Sequence, residues 1–431
     1  MDKLIVEGGY VLDGEIVPAG NKNSAQPMLA ACLLTDEPVT LHNVPNIADV
    51  RTLLNMLRDM GVEVEDSELA ATHTITLQAC KVERQPDRFL GSKVRGSILM
   101  AGPLLTRTGY AVVGQPGGDA IGRRRVDTHL IALEALGAKV EVDNDQYFME
   151  APARLKGTNI FLDEASVTGT EQAILASVLA EGETLICNAA AEPHVQDLCH
   201  MLNKLGAKIS GIGTNTINIR GVSKLHGGEH TIISDHIEIG SFIGLAAVTG
   251  GHLRIKKAVP EHLRMTNLVF SRLGVRVDVD GEDIVVPGGQ DLRVIYDVHE
   301  AVPKIDDGIW PAFPSDLMSI ALVTATQSEG TVLIFEKMFE SRLFFVDRLI
   351  SMGARIVLCD PHRCVVVGKS PLRGDDITSP DIRAGMALLL AALCADGNST
   401  IYNVGQIDRG YEAIETRLEA LGARIKRVRD S

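Results

Sequence analysis

The chain has 431 residues, 45% of them hydrophobic, 23% charged and 4% aromatic, with 42 Lys and Arg against 56 Asp and Glu. Its apolar content excludes a disordered chain, and a net charge of −14 excludes a non-specific nucleic-acid binder, which needs a basic face. No run of about 18 residues is apolar and uncharged enough to span a membrane. The seven cysteines are dispersed and form no CxxC pair, so neither a disulfide framework nor a structural zinc is expected.

In chain order, the first residues run straight into a strand pattern without an apolar signal core, which makes the cytoplasm the expected location. The first 20 residues supply a strand and a turn, expected to complete a sheet of the C-terminal half. A helix of small and apolar residues follows over 25–34, then a strand over 38–44 and an amphipathic helix over 50–57. Gly61 stops that helix at its C′ position, and a β-branched strand begins.

The same series then returns along the whole chain. Gly137, Gly206, Gly274, Gly353 and Gly422 stand in matching contexts, each after Leu or Met and before Ala or Val, at steps of 76, 69, 68, 79 and 69 residues. Helices apolar nearly all round recur over 97–105, 173–180, 239–248, 317–325 and 382–395, and such helices belong inside a protein. Further strands fall at 184–189 and 399–404. The unit reads as strand, inner helix, strand, outer helix, strand, repeated six times. Three repeats per half predict two similar α/β domains, 21–232 and 1–20 with 233–431, with residues 226–230 as the linker. No GxGxxG is present, and a TIM barrel would need eight units of about 30 residues.

Polar residues that interrupt this pattern are the candidate chemistry. Lys22 and Asn23 open an inner helix, as an anion site or as an ordinary cap beside a solvated Lys. Residues 115–127 join a Pro-Gly-Gly loop, Asp119 at its tip and the triplet Arg123, Arg124 and Arg125, read either as a site for a phosphorylated ligand or as a solvated charge run. Asp316 starts another inner helix, where a cap needs no function. Arg342, Asp381, Arg383, Asp408 and Arg409 lie at the starts of elements in the last two repeats, and Arg95 and Glu192 at comparable places in the first half. Together they describe a cleft between the halves, rich in cations and suited to a highly anionic substrate, with Asp119 and Asp316 as its acids. His226 and His230, spaced i,i+4, are the nearest approach to a metal pair, and no metal site is expected. His129 is a candidate ligand contact at a helix start.

Lys22 and Asn23, the Pro-Gly-Gly-x-x-Ile-Gly-x-Arg loop, Ser315 and Asp316, Arg342, Asp381 and Arg383, and the run Asp408 to Glu412 resemble the UDP-N-acetylglucosamine 1-carboxyvinyltransferases, from residue 3 to about 428. The resemblance implies two domains of inside-out α/β repeats, as in the related 3-phosphoshikimate enolpyruvyltransferases. It implies transfer of the enolpyruvyl group of phosphoenolpyruvate (PEP) to the 3-hydroxyl of UDP-N-acetylglucosamine (UDP-GlcNAc), through a tetrahedral ketal and with release of phosphate. This is the committed step of peptidoglycan precursor synthesis, serving cell wall biogenesis, cell shape and division. Asp316 would take the hydroxyl proton and Asp119 would be the acid of the loop. Lys22, Arg124 and Arg409 would surround phosphate, with Arg95, Arg342 and Arg383 neutralising the remaining charge. Asn23 would touch the sugar, and Arg124, Asp127 and His129 would border the uracil. Ser166, Val167, Thr168 and Gly169 would contact the diphosphate. Asp381 would organise the charged site and Glu192 would support its hinge side. No metal or organic cofactor is implied.

Three positions depart from the family pattern. Asp119 stands where many members carry a reactive Cys, which implies resistance to fosfomycin, an epoxide that alkylates that thiol. Arg125 replaces a common Pro, and the stretch from Ser234 to Ser241 differs from a Pro-Asp-Arg-Ile-Glu form while retaining Asp235 and Glu238. The last two lie near the expected nucleotide site, leaving as an alternative a paralogous enolpyruvyltransferase acting on another uridine nucleotide in secondary metabolism. A non-catalytic UDP-sugar sensor is a third reading, which the presence of Asp316 and the cations disfavours.

Overall fold

In the computed structural model, which describes residues 2–151 and 153–429, all six repeat glycines have φ between 84° and 104°. Met1, Asp430 and Ser431, which the expected domain bounds include, lie outside the described residues. Each glycine follows an outer helix: Ala48–Asp59, Asp127–Ala135, Pro193–Lys204, Arg264–Arg272, Val346–Ser351 or Ile414–Ala420. The glycine N–H turns back onto the helix end, as from Gly61 to the Arg58 carbonyl at 3.0 Å and from Gly137 to that of Glu134 at 2.9 Å.

The inner helices are Lys22–Ala31, Ala101–Thr108, Val167–Ser177, His236–Thr249, Met318–Gln327 and Ile382–Cys394. Met318–Gln327 is buried at every position, and His236–Thr249 at twelve of its fourteen. Helices this apolar have no face to give to water, so sheets enclose them. Arg95 lies on a 3-10 turn, Arg95–Met100, that leads into the second inner helix, earlier than the expected start at residue 97.

Five of the repeats carry one strand more than the sequence suggests. After the post-glycine strand the chain folds back as a hairpin, giving Ile75–Gln78, Gln146–Glu150, Thr216–Arg220, Asp283–Val286 and Arg363–Gly368. In the sixth sheet Lys3–Glu7 takes that place, antiparallel to both Asn398–Tyr402 and Arg424–Val428, so the N-terminal strand completes a C-terminal sheet. Among the described residues five sheets have four strands and one has three. At the open edge of the three-stranded sheet, Gln85 Oε1 accepts the Val112 N–H at 2.9 Å in place of a neighbouring strand.

The chain divides into two compact units. The C-terminal unit comprises Met1–Ala19, Asp119–Arg123 and Ser234–Ser431; the N-terminal unit comprises Gly20–Gly118 and Arg124–Ile233. Each has its own apolar core. The segment Asp119–Arg123 groups with the C-terminal unit because the Ser341 N–H bonds to the Ile121 carbonyl at 3.0 Å and the Arg123 N–H to Glu340 Oε2 at 3.2 Å.

The linker expected at 226–230 is instead ordered structure. Gly228–Thr231 is a strand parallel to Val39–His42, and the buried His230 ring meets Asp197 at 2.8 Å. A Gly-rich stretch flanked by two His looks like a linker only until the Asp197 partner is visible. Gly14–Ile16 likewise pairs in parallel with Leu253–Ile255. Beyond these two edge strands the backbone is fixed within each unit: the Asn21 N–H to the Ile233 carbonyl at 2.8 Å, and the Asp235 N–H to the Ala19 carbonyl at 2.9 Å. The Ala19 N–H also bonds to Glu238 Oε2 at 2.6 Å, and Arg417 holds that carboxylate at 2.5 Å. Among the described residues no helix is long and apolar enough to cross a membrane.

Two of the repeat glycines separate backbone strain from crowding. A Cβ at Gly137 would meet nothing within 4 Å, whereas at Gly274 it would meet the backbone of Arg293. Gly137→Ala is expected to cost about 1–2 kcal/mol from conformation alone, and Gly274→Ala clearly more. Urea unfolding of the two variants side by side checks this; equal losses would show that crowding is relieved at Gly274.

Candidate active site

In the C-terminal unit three inner helices begin close together, and their first residues are polar. Asp381 caps Ile382–Cys394, its Oδ1 accepting the N–H groups of Arg383 and Ala384, each at 2.9 Å. Asp235 caps His236–Thr249 in the same way, accepting from Ile237 at 2.9 Å. Asp316 lies on the turn Ser315–Leu317 before Met318–Gln327, but its side chain does not cap that turn. It is held by two guanidiniums instead: Arg342 reaches Oδ1 at 3.0 Å and Arg383 reaches Oδ2 at 3.2 Å. The two Arg side chains are 3% exposed and Asp316 is 31% exposed, so the carboxylate faces outward from a buried cationic clamp.

Burial opposes the charge of Arg383, but Asp316, Tyr411 and Asp235 outweigh it and hold the guanidinium above its ordinary value. Arg383 donates to the Tyr411 hydroxyl at 3.3 Å, which meets Ser241 Oγ at 2.8 Å. Arg409 and Asp119 form an ion pair at 2.7 Å, with Gln406 Oε1 also on Arg409 at 2.9 Å. Burial pushes the Asp381 carboxyl up, the Ala384 N–H and Arg342 pull it down, and Asp119 adds to the rise. Asp119, Asp316, Arg342, Asp381, Arg383 and Arg409 are thus parts of one electrostatic cluster.

In the N-terminal unit, Asn21 caps Lys22–Ala31 by accepting from Asn23 at 2.8 Å and Ser24 at 3.0 Å. Lys22 and Asp49 form a buried ion pair at 2.8 Å. The Lys22–Ala31 helix packs on the Arg95–Met100 turn, which also meets Val167–Ser177, the neighbour of Asp127–Ala135. Arg95 donates to the carbonyls of Arg124 at 3.2 Å and Arg125 at 2.6 Å. Burial first, and Arg124 second, press the Arg95 guanidinium down to about 10. Two crowded cations of this kind favour an anion.

The Arg triplet therefore divides. Arg123 and Arg125 are exposed, and Arg125 is taken by Asp127 at 3.0 Å and Asp163 at 3.2 Å, while Arg124 adjoins Arg95. The solvated reading holds for Arg123 and Arg125. Ser166 caps Val167–Ser177 through a 3.2 Å bond from the Gly169 N–H, leaving Ser166, Val167 and Thr168 partly exposed at a helix N-terminus of the kind that binds phosphate. His129 Nε2 meets Thr168 Oγ1 at 2.9 Å. Glu192 lies beside Glu171, whose carboxyl is raised by burial and then by Glu192.

Sequence reasoning misses Asp49, Glu336 and Tyr411 as partners of the site. Asp49 reads as an ordinary acid in the first turn of an outer helix, and only its pairing with Lys22 distinguishes it. The signal for Glu336 is a single acid directly after the apolar strand Gly330–Phe335. Among the described residues no group of His, Cys, Asp and Glu is arranged to hold a metal ion.

His129 gives a direct check of this environment. Burial and Arg95 lower it from 6.5 to about 3, so the folded ring is neutral near pH 7. Its NMR resonances are expected not to titrate from about pH 5 to about pH 8. The unfolded chain takes up this proton below 6.5 and the folded chain does not until about 3. The contribution to stability is therefore present above 6.5 and lost as the pH falls toward about 3. A ring that titrates near 6.5 would show an open site.

The chain matches the EPSP synthase (3-phosphoshikimate 1-carboxyvinyltransferase) family over residues 6–418. The UDP-N-acetylglucosamine 1-carboxyvinyltransferase of Bradyrhizobium diazoefficiens is 57% identical over 427 residues, covering 99% of this chain and 98% of that protein. That of Borreliella burgdorferi is 53% identical over 430 residues, covering 100% of both. Among solved structures, the enolpyruvyl transferase NikO from Streptomyces tendae aligns with a TM-score of 0.87 at 26% identity, over 100% of this chain and 99% of that one. EPSP synthase from Acinetobacter baumannii has the same fold, at a TM-score of 0.75 and 19% identity over 100% of both chains.

Proposed function

The chain belongs to the EPSP synthase family, among its UDP-N-acetylglucosamine 1-carboxyvinyltransferases, and we propose that its two charged clusters act together on one pair of substrates. The reaction is transfer of the enolpyruvyl group of PEP to UDP-GlcNAc, in peptidoglycan precursor synthesis. The fold is the two-domain α/β arrangement of the enolpyruvyltransferases. No helix fit to cross a membrane was found among the described residues, and we place the reaction in the cytoplasm, where both substrates are soluble anions.

The observation that carries the mechanism is the clamp on Asp316. A carboxylate held from behind by Arg342 and Arg383 is fixed in direction while its outer side stays open, as a general base requires. Asp316 takes the proton of the sugar 3-hydroxyl as its oxygen attacks C2 of PEP. A proton goes to C3, and the tetrahedral ketal then loses phosphate from C2 and a proton from C3 to restore the double bond. Lys22, Arg124 and Arg409 receive the phosphate, and Arg95, Arg342 and Arg383 balance the rest of the negative charge. Asn23 touches the sugar, the helix start at Ser166, Val167, Thr168 and Gly169 takes the diphosphate, and Arg124, Asp127 and His129 border the uracil.

Asp119 is the acid toward C3. Without substrate it is paired with Arg409. A phosphate arriving on Arg409 competes for that guanidinium and releases the carboxyl, which can then carry a proton. Binding of the leaving group and arming of the acid are coupled through one residue.

Phosphate release from PEP is expected with UDP-GlcNAc and not with UMP or shikimate 3-phosphate; equal rates with UMP would favour the other uridine acceptor. Asp316→Asn is expected to keep nucleotide binding while turnover falls ~10²-fold or more. Near-normal turnover would return Asp316 to a structural role. Asp119→Ala is expected to lose transfer without unfolding. A carboxylate is a poorer nucleophile than a thiolate toward an epoxide, so incubation with fosfomycin and UDP-GlcNAc should leave the intact mass unchanged, and Asp119→Cys should create an adduct.

A further inference from the structure

Behind Asp316 stand two carboxyl groups that the mechanism above leaves unused. Asp307 and Glu336 follow neighbouring parallel strands, Lys304–Asp306 and Gly330–Phe335, and both are fully buried. Glu336 Oε1 accepts the N–H groups of Met338 at 3.1 Å and Phe339 at 3.0 Å, and Ser315 Oγ lies 3.1 Å from both Glu336 oxygens. Asp307 Oδ1 accepts the Lys337 N–H at 2.6 Å.

Two buried atoms beside Glu336 have no hydrogen-bond partner among the described residues. One is Asp307 Oδ2, in a carboxyl group within hydrogen-bonding reach of Glu336. The other is Arg342 Nε, which stands 3.6 Å from Glu336 Oε2. Two ionised carboxylates offer each other only lone pairs, so the first orphan is satisfied only if a proton lies between them. Loss of that proton leaves Glu336 to be compensated by Arg342, which stands 3.6 Å from it. Glu336 therefore has two alternative partners, and its proton selects between them.

We infer that Glu336 and Asp307 form a proton-bridged pair that positions Asp316, through Ser315 beside it in sequence and Arg342 against it in space. The inference rests on the reading of Asp316 as the base. Burial and the bond to Asp307 raise Glu336 to about 8 against the pull of Arg342, so the pair keeps its proton near neutrality. The other charged and titratable groups that face it are few. Asp316 lies beyond Arg342, Lys337 contributes its backbone N–H to Asp307, and His362 Nδ1 meets the Glu336 carbonyl at 2.7 Å. With the proton in place Arg342 serves Asp316. Once it leaves, Glu336 competes with Asp316 for the same guanidinium, and the base loses its orientation.

The test is kcat and KM for phosphate release from about pH 6 to about pH 9 in the wild type, Glu336→Gln, Glu336→Ala and Asp307→Asn. The wild type is expected to lose kcat rather than KM as the pH rises through about 8. Glu336→Gln, neutral at every pH and able to donate to Asp307, loses that alkaline fall. Asp307→Asn moves it to lower pH by about one unit. Glu336→Ala lowers kcat about tenfold or more by releasing Ser315, which Glu336 holds beside Asp316. A Glu336→Gln profile superimposable on that of the wild type overturns the inference, as does an unchanged kcat in Glu336→Ala.

Folding supplies a second readout. A raised carboxyl contributes stability that is full below 4.5 and is lost as the pH rises through about 8, and Glu336→Gln removes that dependence. If stability follows this course while kcat does not, the positioning role is overturned, whereas the base reading stands or falls on Asp316→Asn alone.

Discussion

The structure depends on burying six helices that have almost no polar face. Enclosure by sheets deals with their sides but leaves the first N–H groups of each helix without partners, and these cannot be abandoned in an apolar interior. Asn21, Ser166, Asp235 and Asp381 each accept such groups through a side-chain oxygen. The helix starts are therefore the places where these repeats must carry polar residues, and each carries the positive end of a helix dipole. Charged side chains therefore gather where the fold already requires polarity.

Several of these cations have a carboxylate partner within their own unit. Lys22 rests on Asp49, Arg409 on Asp119, and Arg342 and Arg383 on Asp316. A buried cation left alone would be strongly unfavourable, whereas an exchange of one anionic partner for another loses much less. Arg95 differs, being spent on the backbone carbonyls of Arg124 and Arg125.

Much of this is legible in the sequence because repetition amplifies weak local signals. A single glycine after an amphipathic helix says little, but six at near-equal steps fix the helix ends, and the inner helices declare themselves by composition. The returning hairpin strands are not legible, since short alternating runs such as Arg363–Gly368 resemble loop flanks until their sheet neighbours are known. Gly228–Thr231 is hidden for the same reason: its burial comes from Asp197 and Val39–His42, both remote in sequence. In the site, Asp316, Arg342 and Arg383 are recognisable from their motifs, but the roles of Asp49, Asp307 and Glu336 exist only through partners. A lone acid at a strand end or in a first helical turn has many uses, and only its neighbours tell which one applies.

The strand Lys3–Glu7 sets a timetable as well as a sheet. It pairs with Asn398–Tyr402 and Arg424–Val428, so during synthesis it must remain without its partners while roughly 390 further residues are made. At typical elongation rates that interval is about 20–80 s. The N-terminal unit, by contrast, has every strand of its three sheets once residue 231 is out. On the ribosome, the N-terminal unit, whose residues all lie between Gly20 and Ile233, can finish early, while the other holds an unsatisfied strand edge until the end. That makes the first residues of the chain the ones most exposed to a wrong partner, such as the same strand on a neighbouring nascent chain.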